Sequence, residues 1–215
     1  MLNVPDKMRW FAIVMTIAGA FAAGVAVSFL QGGQQDAQTI DGLLWPNPRS
    51  IESFALRDEM GIAFTEEALR GRWSLVFFGF THCPDICPTT LDLMARAHTE
   101  LKAHRHYAEL GQIVFVSVDP DRDTPEVLRE YVHYFDPELI GLNGSVEDLT
   151  AFTRQLGALF IKIETGSGIY TIDHSAGIFF IDPELRLVSV ITPPHNLAAI
   201  VKRFDAVSTF VAAQK

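Results

Sequence analysis

The sequence predicts an α/β domain with a parallel sheet at its centre, preceded by a single membrane-spanning helix. Three observations carry that reading. Residues 10–30 run 21 residues without a charge. Further on, two continuous apolar runs, residues 73–80 and 113–118, flank a stretch of helical periodicity. The only two cysteines, Cys83 and Cys87, fall between the first run and that stretch, each followed by a proline.

The 215 residues suffice for one anchor and one globular domain with a proper core. The net charge of −9 argues against nucleic acid as a partner. Asp6, Lys7 and Arg9 sum to +1, which leaves −10 for the remainder. A surplus of that size serves solubility, and it also suits a basic protein partner such as a small soluble cytochrome.

A helix over residues 10–30 is about 31 Å long, matching a hydrocarbon core about 30 Å thick. Lys7 and Arg9 precede the run and no positive charge follows closely. The positive-inside rule therefore assigns residues 1–9 to the cytoplasm and the rest of the chain to the far side. Signal-peptide cores are shorter, about 7–15 residues, so an uncleaved anchor is the better reading. The domain then faces the periplasm or an equivalent oxidising compartment, held at the inner membrane. Residues 31–50, rich in Gly, Gln and Pro, read as a tether, and the domain is expected over 51–215.

Within the domain, Phe54, Leu56 and the turn at residues 58–61 suggest a hairpin. Thr65 can cap a short helix closed by Gly71. Residues 73–80 read as a buried central strand. Leu91, Met94, Ala95, His98 and Leu101 recur at helical spacing, giving a helix from about Pro88 to His104. Residues 113–118 form a second buried strand, which completes a right-handed βαβ unit. Thr124 with Pro125 starts a helix running to about Phe135, and Ser145 with Asp148 starts another, ended by Gly157. Residues 170–172 are short and extended. Residues 176–181 and 187–191 flank an Asp-Pro-Glu turn as an antiparallel hairpin, and Asn196 caps a final helix to about Val211. This order is that of a thioredoxin-like domain, in which the loop after the first central strand carries reactive cysteines.

Proline disfavours α conformation in the residue before it, so Cys83 and Cys87 are both expected outside the helix, Cys87 at its N-cap. There the helix dipole would favour thiolates. Three uses of the pair compete. A structural disulfide across so short a loop gains little entropy, and a domain of this size needs no staple. A redox dithiol ordinarily has two residues between its cysteines, whereas here there are three. A metal site would exploit the longer loop but needs a third ligand.

Among the seven histidines, His98, His104, His106 and His133 read as helix-surface groups, His195 adjoins a cap, and His82 suits packing or the support of groups around the cysteines. His174 opens the strand over 176–181, where a thioredoxin-like fold would face it toward the cysteine loop. A lone histidine is ordinarily just a satisfied side chain, and spacing alone leaves its role open. Two thiolates and an imidazole would suit copper. Zinc would want a fourth ligand, for which Asp173 is available, though a carboxylate orienting the histidine is the better role.

Three stretches now matter together: Phe80-Thr81-His82-Cys83-Pro84-Asp85-Ile86-Cys87-Pro88, Ser117-Val118-Asp119-Pro120-Asp121-Arg122-Asp123-Thr124-Pro125, and Tyr170-Thr171-Ile172-Asp173-His174-Ser175. With them the chain resembles the Sco/SenC family of membrane-anchored copper proteins needed to assemble cytochrome c oxidase. The resemblance implies that Cys83, Cys87 and His174 bind one copper ion, as Cu(I) or Cu(II). It also implies that Asp119 and Asp173 stand near the site. The expected function is that of a metallochaperone, not an enzyme, which brings copper to subunit II of cytochrome c oxidase or keeps that subunit's cysteines reduced. The copper donor stays unnamed. The alternative is a thiol–disulfide reductase cycling Cys83 and Cys87, with a peroxidase as a fainter rival.

Overall fold

The computed structural model describes residues 15–16, 40–166 and 169–214. The expected membrane span, residues 10–30, therefore lies outside the described residues apart from Met15 and Thr16, which are helical. Among the described residues no helix is long and apolar enough to cross a membrane.

Among these residues the chain runs β1 (Arg49–Ser50), β2 (Leu56–Asp58), β3 (Ala63–Phe64), α1 (Glu66–Leu69), β4 (Trp73–Gly79), α2 (Ile86–Leu101) and β5 (Gly111–Ser117). It continues with α3 (Pro125–Phe135), β6 (Ile140–Asn143), α4 (Val146–Leu156), β7 (Phe160–Gly166), β8 (Ile169–His174), β9 (Ile178–Ile181), β10 (Arg186–Ile191) and α5 (Leu197–Ala212). Eight strands make one sheet in the order β1-β10-β9-β4-β5-β6-β2-β3, and β7 with β8 make a separate ribbon. The pairs β4–β5 and β5–β6 are parallel, and β9 lies antiparallel to β4. This is the mixed α/β arrangement that the element order predicted.

Alternation along β4 explains the layering. Leu75 and Phe77 face one core with α2, α3 and α5, whereas Val76 and Phe78 face the other with α1 and α4. A strand covered on both sides favours apolar residues, and every residue of β4 is buried, Ser74 included because Gln112 Nε2 donates to its hydroxyl. The register pairs Phe77 with Phe115 and Gly79 with Ser117, so β4 and β5 end side by side. The loops that follow them emerge at one edge of the sheet.

Three expectations need correction. Residues 40–50 are not a tether: Ile40 is buried, Leu44 N–H donates to the Val188 carbonyl at 2.8 Å, and Trp45 packs edge-on against Phe210. Their polar neighbours masked an apolar Leu43-Leu44-Trp45 segment. Next, α2 begins at Ile86, so Cys87 lies in its first turn with Asp85 at the N-cap. Pro88 is tolerated at the third helical position because the first four N–H groups of a helix have no partner there. Finally, His98 is buried, not solvated, and its Nδ1 lies 2.7 Å from the Tyr107 hydroxyl. The strands β1, β6 and β7 have no counterpart in the sequence reading.

Candidate metal centre

The site forms where β4 ends. Gly79 has no side chain, and a Cβ there would stand 2.8 Å from Cys87 Sγ and 2.7 Å from the Phe115 ring. The missing methyl is the space the sulfur occupies. After Gly79 the chain turns through Thr81 and Cys83, whose N–H donates to the Phe80 carbonyl at 3.2 Å. Cys83 is partly exposed and Cys87 is buried, and both thiols are free.

The surroundings of Cys87 work against an activated helix-terminus thiolate. Burial pushes its pKa well above the ordinary thiol range, reinforced by a hydrogen bond with Cys83, and a backbone hydrogen bond from Phe80 only partly opposes this. The helix terminus was expected to favour ionisation, but desolvation dominates.

The third group arrives from the ribbon. His174 closes β8 instead of opening the next strand, and its Nε2 lies 3.5 Å from Cys87 Sγ. The ligand atoms of Cys83, Cys87 and His174 all lie within 4.8 Å of one another. The imidazole is held edge-on between Phe77 and Phe80, with ring centroids 6.2 and 5.9 Å away. Its Nδ1 lies 3.3 Å from the Ser175 carbonyl. A carbonyl only accepts, so Nδ1 carries the proton and Nε2 presents its lone pair toward the sulfurs. Burial lowers the His174 pKa, which keeps the ring neutral at pH 7. It also lines a surface cavity of about 290 Å³ with Leu159, Phe160 and Ile161.

The acidic groups divide differently from expectation. Asp173 is exposed, and the Ser175 carbonyl, not its carboxylate, meets the histidine ring. Asp119 is buried and accepts hydrogen bonds from Arg122 Nε and from the Tyr170 hydroxyl, the latter at 2.7 Å. Asp123, which sequence reasoning passed over, is fully buried and holds the cysteine loop. It accepts from Thr81 N–H at 2.9 Å, from Thr81 Oγ1 at 2.6 Å and from Ser117 Oγ at 2.5 Å. Its signal was a carboxylate in the loop after β5, with hydroxyl residues at the end of β5 (Ser117) and the start of the cysteine loop (Thr81). His82 is exposed and does not pack, but its Nδ1 lies 3.0 Å from Thr81 Oγ1 and 3.8 Å from Asp123, so it stands beside the groups that hold the cysteine loop.

Residues 46–209 match the model of the SCO1/SenC family. This chain belongs to the SCO1/SenC family. A protein of Stutzerimonas stutzeri named as a candidate copper-binding protein is 39% identical over 155 residues, 72% of this chain and 75% of its own length. The mitochondrial SCO1 homolog 1 of Arabidopsis thaliana is 37% identical over 147 residues, 68% of this chain. That match spans 43% of the plant protein, under half of its length. Among solved structures, Arabidopsis thaliana ScoI with copper bound superimposes with a TM-score of 0.67 at 35% identity, covering 75% of this chain and 98% of that one.

Proposed function

We propose that this SCO1/SenC protein is a copper metallochaperone in the assembly of cytochrome c oxidase, with Cys83, Cys87 and His174 as its copper ligands. The observation that carries the reading is the convergence of two thiols and one neutral imidazole within 4.8 Å. Copper is cargo here. Three soft or borderline donors suit Cu(I) in trigonal coordination and also hold Cu(II), and they leave an open face for an incoming ligand. A partner's thiolates displace Cys83 and Cys87 stepwise, beginning at the more exposed sulfur. Each thiol gives up its proton as it binds the ion, so loading releases protons.

In this reading the acceptor is the copper site of oxidase subunit II. Residues 10–30 anchor the protein in the inner membrane, with the domain on the periplasmic or equivalent side. A reduced full-length protein should take up one equivalent of copper, and His174→Ala should bind markedly more weakly in competition with a chelator. Absence of uptake by the reduced wild type would sink the proposal. Comparing oxidase assembly in cells carrying His174→Ala and Cys83→Ser then separates copper transfer from thiol reduction, because only transfer needs the imidazole.

One observation also favours the reductase reading: a partly exposed Cys83 beside a buried Cys87 gives an attacking sulfur and a resolving one. Rapid disulfide turnover by copper-free protein, unaffected by His174→Ala, is the result that would favour it.

A further inference from the structure

The ribbon that carries His174 is not part of the main sheet, so sheet pairing does not set the distance between the imidazole and the sulfurs. An isolated two-stranded ribbon is marginal in water and needs anchoring from outside. Along β8, Tyr170, Ile172 and His174 fall on one face, two residues apart. Ile172 is buried in the core, a contact that attracts without fixing direction. Tyr170 is held by directional contacts.

Arg122 makes most of them. Its Nη1 donates to the Tyr170 carbonyl at 3.3 Å, and its guanidinium carbon lies 3.9 Å from the centre of the Tyr170 ring. Its Nε donates to Asp119, the same carboxylate that accepts from the Tyr170 hydroxyl. Lys162 covers the other side of the ring at 3.8 Å and pairs with Asp121 at 2.9 Å. The guanidinium also lies 5.7 Å from the Phe80 ring, whose centre is 5.9 Å from that of His174. Among the described residues Arg122 Nη2 is buried with no partner. Leaving a charged donor unpaired is unfavourable, so the remaining contacts must hold the side chain in place.

The neighbouring residue completes the picture. Asp123 grips Thr81 at the start of the cysteine loop, while Arg122 grips Tyr170 on the histidine strand. The turn they share is tied back on itself, with Arg122 and Asp123 N–H both donating to the Asp119 carbonyl. Two consecutive side chains of one short loop thus reference the two halves of the site to each other.

We propose that Arg122 is a positioning residue: through Tyr170 and Asp119 it sets the approach of His174 to Cys83 and Cys87, and so decides whether copper meets two ligands or three. This deepens the copper reading and rests on it. The test uses the full-length chain with Arg122→Gln, Tyr170→Phe, His174→Ala and the Arg122→Gln/His174→Ala double variant. Affinity is read by Cu(I) competition, imidazole coordination by nitrogen hyperfine coupling to Cu(II), and the ribbon by amide exchange without metal.

Arg122→Gln should weaken binding by about tenfold or more, the scale of a lost charged hydrogen bond, and should diminish the nitrogen coupling. It should have no further effect in the His174→Ala background. Amides of β8 should exchange faster while those of β4 do not change. Tyr170→Phe, which removes only the hydroxyl contact, should shift the same readouts less and stands in if Arg122→Gln fails to fold. An equal loss with and without His174, or wild-type coupling and exchange in Arg122→Gln, would overturn the proposal. If wild-type protein takes up no copper yet β8 exchanges faster in Arg122→Gln, the copper reading fails and the positioning role stands.

Discussion

The two parts of the molecule that supply ligands are built in opposite ways. Cys87 sits against β4, where all seven residues are buried between two cores. His174 ends a ribbon whose outer strand, β7, has six of seven residues exposed. One half is fixed by packing on every side. The other is fixed by Ile172 in the core and by a few directional contacts, so it is expected to open more readily than β4. Under the proposed function, that division would hold Cys87 firmly and leave the imidazole the more adjustable ligand.

The contrast can be broken at its strong end first. Phe77→Ala removes a fully buried ring of β4 and should cost about 3–5 kcal/mol. A denaturation curve that moves less would mean that β4 is not the frame described. Gly79→Ala comes next. Its methyl group would collide with Cys87 Sγ and Phe115, a clash worth about 1–3 kcal/mol that also displaces the sulfur. Urea midpoints and Cu(I) competition should both fall, and wild-type behaviour in each would refute the packing argument.

A third measurement concerns protons. Because the Cys87 thiol is held above its ordinary pKa, it is protonated between pH 6 and 8 and must lose that proton to bind metal. Apparent copper affinity should therefore rise by about tenfold per pH unit for each proton released. A flat profile would show that the thiolate exists beforehand. At the weak end, Ile163→Ser on the exposed ribbon should change stability by no more than about 0.5 kcal/mol. A larger loss, read from the same denaturation curves, would erase the contrast between ribbon and sheet.

What the sequence made legible follows the range of the interactions. The caps at Thr124 and Ser145 were readable because their side chains accept from N–H groups three residues on, Val127 and Asp148. The β4 and β5 runs were readable because burial on both faces leaves apolar residues from Leu75 to Phe78 and from Ile113 to Val116. In contrast, β7 alternates Lys162 and Glu164 with isoleucines that are themselves exposed, and the place of Lys162 is explained only by Tyr170 and Asp121 from elsewhere. His98 looked like a surface residue until Tyr107 and Glu138 closed over it. Asp123 meets a partner 42 residues earlier in the chain. The placement of Cys87 was misread because a two-residue proline rule competes with a helix that needs no N–H at its third position. His174 stood apart from the other six histidines because a thioredoxin-like order places it facing the cysteine loop, but spacing left its role open and the family resemblance made it a ligand.

The separation of 87 positions between Cys87 and His174 also has a meaning in time. At about 5–20 residues per second of synthesis, the cysteines emerge roughly 4–17 s before the histidine. During that interval the nascent chain carries two thiols and no imidazole. Oxidants met early act on a pair that has no complete metal site to protect it. The order in which residues are made thus leaves the cysteine pair without its third ligand for that interval.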